Sequence, residues 1–83
     1  MADYLLNGTR TLKSYMKTNG FDDNRAVRVA GALNIPIIHL NGAGKDPASF
    51  KRRITLAQAE NVASLLGTSV ANLVTNAGLV QLP

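Results

Sequence analysis

Apolar side chains recur every three or four residues along much of this chain, which predicts amphipathic helices. The first predicted helix can be capped by Thr9 or Thr11, and it ends at Asn19-Gly20. A second begins after a cap at Asp22 or Asp23, and a helical period joins its apolar positions Ala26, Val29, Ala30 and Leu33.

The clearest helical pattern runs from Thr55 to Gly67. Its apolar stripe consists of Leu56, Ala59, Val62, Ala63 and Leu66. Ser69 can cap a last helix that ends at Gly78. Residues 79–83 then alternate in polarity, which predicts a short strand that pairs with residues 4–6 or with a second subunit.

Between these helices, Asn34-Ile35-Pro36 predicts a turn, because Asn tolerates the left-handed conformation and Pro suits a first helical position. A third helix from Ile37 is short, since Gly42 and Gly44 would each cost about 1 kcal/mol inside it. Asp46-Pro47 resembles another helix start, opening a segment through Ile54. The prediction is an all-α fold with about five short helices in one domain, residues 1–83, a possible terminal strand and no internal repeat.

The spacing of residues 25–45 is typical of a helix-turn-helix, with Val29-Ala30, Leu33-Asn34-Ile35, Leu40 and Ala43 at the required offsets. Ala30 would let two helices approach closely, while Ile35 and Leu40 would fill the angle between them. Such a motif presents the start of its second helix to the major groove of DNA. Any pair of packed short helices can show similar spacing, so DNA binding remains one of two interpretations.

Residues 11–74 resemble the lambda-repressor-like helix-turn-helix family of phage and bacterial regulators. The matching positions are Thr55-Leu56, Val62-Ala63, Leu66-Gly67, Ser69 and Leu73. The resemblance implies a compact helical fold and a sequence-specific, DNA-binding transcriptional regulator of phage or prophage type. The third helix is more apolar than the family pattern, and the following loop is longer.

Charge is unevenly distributed. The net charge is +4, and residues 1–53 carry all nine Lys and Arg with four of the five acidic residues. This asymmetry favours a nucleic-acid partner, although it also serves solubility. Two groups of residues are therefore predicted to contact double-stranded DNA. Base edges would face Ile37, His39 and Asn41, and phosphates would be held by Arg25, Lys45, Lys51, Arg52 and Arg53.

Two other interpretations remain open. The apolar residues Ile37, Ile38 and Leu40 could dock on a protein, which would make the chain an interaction module or inhibitor. Residues 40–48 also resemble the hairpin of a non-specific helix-hairpin-helix. A nucleotide-binding loop is excluded, because His39 and Asp46 occupy positions where it requires Gly and Ser or Thr.

The remaining composition narrows the function. The chain has no Cys and one His, so we expect no metal and no cofactor. No carboxylate pair or nucleophile with a base is visible, so we expect no enzyme. No apolar run reaches the ~20 residues of a membrane span, and we expect a cytoplasmic protein. A homodimer is expected, with its interface at Leu73, Val74, Leu79, Val80 and Leu82.

Overall fold

The computed structural model describes residues 3–40 and 51–83. Two of the predicted contact residues, Asn41 and Lys45, lie outside them, as does most of the helix-hairpin-helix segment. The elements follow one another in the order β1 (Tyr4–Asn7), α1 (Arg10–Thr18), α2 (Asp23–Leu33), a 3-10 turn (Ile37–His39), β2 (Lys51–Ile54), α3 (Leu56–Leu65), α4 (Val70–Asn76) and β3 (Leu79–Gln81).

The three strands form one antiparallel sheet in the order β2-β1-β3. The predicted C-terminal strand is confirmed: β3 pairs with β1, with Leu5 opposite Val80 and Leu6 opposite Leu79. On the other side of β1, Leu5 lies opposite Arg53 and Leu6 opposite Arg52. The sheet therefore joins both ends of the described chain to its middle.

The expected all-α class is wrong in detail, because the fold is mostly helical but includes this sheet. The described residues form four α-helices. The third predicted helix is a single 3-10 turn within these residues. The predicted helix start at Asp46-Pro47 lies outside the described residues. Residues 51–53, expected in the long basic loop before the helix from Thr55, form with Ile54 the strand β2, in which Ile54 is buried opposite Tyr4 of β1. Sheet pairing, which local sequence does not show, determines the backbone here.

The predicted helix ends are largely confirmed. Asp22 caps α2 by accepting from the Arg25 N–H at 3.0 Å. Thr55 and Gln58 form a capping box at the start of α3, and Ser69 caps α4. At the start of α1, Thr9 is the N-cap residue but its side chain makes no capping hydrogen bond. Leu56 also departs from the prediction, since it was expected in the buried stripe of α3 but is 43% exposed. As the first residue of the helix, it lies at the edge of the core.

The core lies between the helices and the inner face of the sheet. Both residues predicted to fill the angle of the helix-turn-helix, Ile35 and Leu40, are buried in it. Leu73 and Leu79 are buried as well, at 2% and 4% exposure, so their assignment to a dimer interface is wrong. They close the core of a single chain, whereas Val74 and Val80 are exposed.

Contrary to the sequence-based expectation, the chain contains an internal repeat. Residues 21–40 and 54–73 correspond at an offset of 33 positions. Five positions are identical between the two segments, and all ten side chains are buried. The identical pairs are Ala26 and Ala59, Val29 and Val62, Ala30 and Ala63, Leu33 and Leu66, and Leu40 and Leu73. We call these segments unit 1 and unit 2.

The backbone of the first helix and its turn repeats with the sequence, whereas the second element is a three-residue 3-10 turn in unit 1 and the seven-residue helix α4 in unit 2. The helix of unit 1 ends with Asn34 in the left-handed conformation, φ 56°, and that of unit 2 with Gly67, φ 62°. Ile35 N–H donates to Ala30 C=O at 3.0 Å, and Thr68 N–H donates to Ala63 C=O at 2.9 Å. Both helices therefore end in the same Schellman arrangement.

The helices of the two units pack antiparallel and exchange equivalent hydrogen bonds. The Arg25 guanidinium of α2 donates to the carbonyl of Leu65 in α3. At the other end of the pair, the Gln58 side-chain amide of α3 donates to the carbonyl of Ala32 at 3.2 Å. Arg25 corresponds to Gln58 and Ala32 to Leu65, so the contact is reciprocal, as in a two-fold interface.

The shared turn conformation predicts how substitutions at its left-handed residue affect stability. Asn34→Ala should lower the free energy of unfolding by about 1 kcal/mol, because alanine is strained at positive φ. Asn34→Gly should leave it nearly unchanged, since Gly67 fills the equivalent position. Urea unfolding of both variants measures the difference. An Asn34→Ala protein as stable as the parent would contradict the assigned turn.

Candidate nucleic-acid interface

The predicted basic cluster lies on a strand. Lys51, Arg52 and Arg53 occupy three of the four positions of β2, at one edge of the sheet. Because side chains alternate across a sheet, Lys51 and Arg53 share its outer face and Arg52 lies on the inner one. The outer pair is exposed, and Arg52 is half-buried.

Arg52 connects this strand to the turn of unit 1. Its guanidinium donates to the carbonyl of Asn34 at 2.7 Å. Asn34 is the residue at which α2 ends, three positions before the 3-10 turn begins. Arg52 therefore has a positioning contact with the backbone, and it brings β2 to the same end of the molecule as the 3-10 turn.

The 3-10 turn contains two of the predicted base-reading residues. Ile37 and His39 are half-buried, and Ile37 packs against the core. Ile38 between them is 54% exposed; it was predicted as a contact for a protein partner and was not among the predicted DNA contacts. The structure thus places Ile37, His39, Lys51, Arg52 and Arg53 in two segments linked by the contact between Arg52 and Asn34.

Arg25, predicted to hold a phosphate, lies elsewhere. Its guanidinium is 5.6 Å from the centre of the Phe21 ring and also donates to the carbonyl of Leu65. These contacts fix Arg25 at the N-terminal end of α2, whereas Arg52 and Asn34 meet at the C-terminal end. The structure therefore gives Arg25 a role in the packing of α2 on α3.

The start of each paired helix carries a carboxylate. Asp22 caps α2, and Asp23 lies in its first turn. At the start of α3, the Leu56 N–H donates to the Asp3 carboxylate at 2.9 Å. A helix N-terminus attracts anions, but these two already have acidic groups, which disfavour a phosphate there.

Unit 2 also has the layout of a helix-turn-helix. In the sequence, its residues were interpreted only as positions that match the lambda-repressor-like pattern. Four residues that include Gly67 join α3 to α4. Asn72 of α4 donates to Tyr15 Oη at 2.9 Å and to Thr68 Oγ1 at 2.8 Å. No charged residue follows Glu60 in the sequence. The offset of 33 between Asp22-capped and Thr55-capped segments was the signal that could have revealed this unit.

Within residues 3–40 and 51–83, no helix is long and apolar enough to cross a membrane. The same residues contain no group of three His, Cys, Asp or Glu side chains placed to hold a metal ion. Comparisons with protein-family models, curated proteins and solved structures find nothing that matches this chain.

The contacts of Arg25 and Gln58 predict that both residues act on stability. Arg25→Ala and Gln58→Ala should each lower the free energy of unfolding by about 1 kcal/mol, because each leaves a part-buried carbonyl without its donor. Thermal and urea unfolding measure this loss. Arg28→Ala is the control, since Arg28 is exposed on the same helix and should change stability by less than about 0.5 kcal/mol. Equal losses at positions 25 and 28 would contradict the assigned role.

Proposed function

We propose that this protein binds double-stranded DNA through the end of the molecule formed by β2 and the 3-10 turn of unit 1. The observation that carries the proposal is the contact between Arg52 and the carbonyl of Asn34. This contact holds β2, which has three consecutive cationic residues, beside the 3-10 turn. The 3-10 turn is the second element of the helix-turn-helix layout of unit 1. Lys51 and Arg53 supply phosphate contacts in this arrangement, and Arg52 acts by positioning the strand.

The charge distribution favours unit 1 over unit 2. Unit 1 carries the exposed Arg28 at the position where unit 2 has Asn61, and its turn is held by the cationic strand β2. DNA affinity depends largely on cations that displace condensed counterions, so unit 2 is poorly suited to grip phosphates. The two units share the backbone of a helix and its turn. They differ in positive surface charge, which is what binds a polyanion.

Sequence reading at this site uses the 3-10 turn. Ile38 is exposed and can contact the methyl group of thymine, and His39 can act as a hydrogen-bonding group at a base edge. With Ile37 these residues form a short reading element, which favours a regulator of transcription that gains specificity from two half-sites. Repressor function of phage type remains part of this proposal on the resemblance alone.

Molecular size favours a homodimer for such a regulator. Half-sites in successive major grooves are about 34–36 Å apart. The longest dimension of the chain is 33 Å, measured over Cα atoms. One chain therefore does not place units 1 and 2 in successive grooves, and two copies of unit 1 from two chains would serve instead.

The proposal predicts salt-dependent DNA binding that depends on β2. Fluorescence anisotropy with a mixed-sequence duplex should show binding at low salt. The combined change Lys51→Gln and Arg53→Gln should reduce the slope of log K against log salt by about 1.8, because two phosphate contacts are lost. No binding of the parent protein at low salt would contradict the proposal.

The matched control removes the same charge from the helix α1 instead of the strand β2. Arg10→Gln with Lys17→Gln lowers the net charge by the same amount, and both residues are exposed on α1. This helix packs against α4 of unit 2. We expect the control pair to change the slope less than the β2 pair. An equal change would show that only the overall charge of the protein matters.

A protein partner is the second candidate. It is favoured by the exposure of Ile38 at 54%, in a turn where Ile37 and Leu40 pack inward. Ile38→Asp separates the two functions: it would abolish docking on an apolar partner surface. A DNA complex would lose affinity by like-charge repulsion, and that loss would shrink as salt is raised.

A further inference from the structure

The hydrogen bonds of the sheet determine which backbone groups of β2 point outward. Asn7 N–H donates to the carbonyl of Gly78 at 3.3 Å, and Leu82 N–H donates to that of Asp3 at 2.9 Å. Both bonds belong to the register in which Leu5 faces Val80. Within β1, the odd-numbered residues therefore bond to β3, and Tyr4 and Leu6 bond to β2. The alternation breaks just before the strand, where the Asp3 N–H donates to the Ile54 carbonyl of β2 at 3.0 Å while the Asp3 carbonyl accepts from Leu82.

The partners of Tyr4 and Leu6 on β2 are Ile54 and Arg52. Since backbone groups alternate along an antiparallel strand, the N–H groups of Lys51 and Arg53 point away from β1. Within the described residues β2 has no neighbour on that side, because it is an edge strand. Both residues are exposed.

Lys51 and Arg53 thus each offer two kinds of hydrogen-bond donor, a backbone N–H group and a cationic side chain. Their N–H groups lie along the free edge of β2, and their cationic side chains lie on the outer face beside it. Residues two apart on a strand are about 7 Å apart. This distance is similar to the separation of successive phosphates along one nucleic-acid strand.

We propose that the free edge of β2 binds two successive phosphates of one DNA strand, through the backbone N–H groups of Lys51 and Arg53 together with their side chains. This inference rests on the proposed function and adds the backbone groups to it. Sheet edges are known anion-binding elements. The carbonyl groups at the same edge carry only partial negative charge, which two full cationic charges outweigh.

The charge at this edge favours a phosphate chain over an added peptide strand. A peptide would need donors and acceptors in alternation and no particular charge. Three consecutive cations instead oppose pairing with another copy of β2, as is common for protected sheet edges. They match a ligand whose negative charges recur at regular intervals.

Two substitutions at one position separate the backbone from the side chain. Arg53→Gln removes the charge and keeps the N–H group, whereas Arg53→Pro removes both. Proline is tolerated on an edge strand when its nitrogen faces away from the ladder, and extended Arg52 suits the position before it. Duplex binding is measured by anisotropy across a salt series, and thermal unfolding checks that both variants fold.

Arg53→Gln should reduce the slope of log K against log salt by about 0.9. Arg53→Pro should bind about tenfold more weakly than Arg53→Gln at every salt concentration, with the same slope, because an N–H group releases no counterion. Equal affinity of the two folded variants would overturn the edge proposal. Failure of the parent chain to bind at low salt would instead overturn the proposed function itself.

Hydrogen exchange of the unmodified chain tests the same point if Arg53→Pro does not fold. On addition of duplex DNA, the amides of Lys51 and Arg53 should exchange at least about tenfold more slowly. The exchange of Arg52, already bonded to β1, should change less. Unchanged exchange at Lys51 and Arg53 in a complex with DNA would overturn the proposal.

Discussion

The antiparallel packing of α2 on α3 is the interaction on which the rest of the structure depends. Each helix, taken with the residue that caps α3, buries two alanines, a valine and a leucine, and these come from equivalent positions of the repeat. Arg25 and Gln58 then tie each helix start to the end of the other. A small domain buries little apolar surface and is therefore only marginally stable. Hydrogen bonds at both ends of one helix interface consequently matter for its stability.

This packing decides where the remaining elements lie. The turn of unit 1 is held from outside by Arg52 of β2, and the turn of unit 2 is linked through Asn72 to Tyr15 of α1. The two turns share their backbone conformation and have different neighbours. One end of the helix pair consequently faces a cationic strand, while the other faces an uncharged network of Asn, Tyr and Thr side chains.

Much of the fold could be predicted from local sequence, because helix ends are determined by a few adjacent residues. The caps at Asp22, Thr55 and Ser69 and the stop at Gly67 are examples. The strand β2 could not be predicted in this way. Its sequence KRRI shows no strand alternation, and it extends because Ile54 pairs with Tyr4, fifty positions away.

The sequence predicted which cationic residues belong to the candidate site. It predicted less well what each of them contacts. Charge alone identified Lys51, Arg52 and Arg53 as a group. It did not distinguish Arg52, which bonds to Asn34, from its two exposed neighbours, and it assigned Arg25 to DNA although Phe21 and Leu65 hold it. The roles of arginines depend on which backbone carbonyls the fold brings within reach, and that information is absent from local sequence.

In the proposed complex, unit 1 and β2 face DNA and unit 2 does not. Titration of the isotope-labelled protein with a duplex, followed by amide chemical shifts, tests it most directly. The largest shifts should occur in Ile37–His39 and Lys51–Ile54, with small changes in Val70–Asn76. Shifts concentrated in Val70–Asn76, with β2 unchanged, would contradict it.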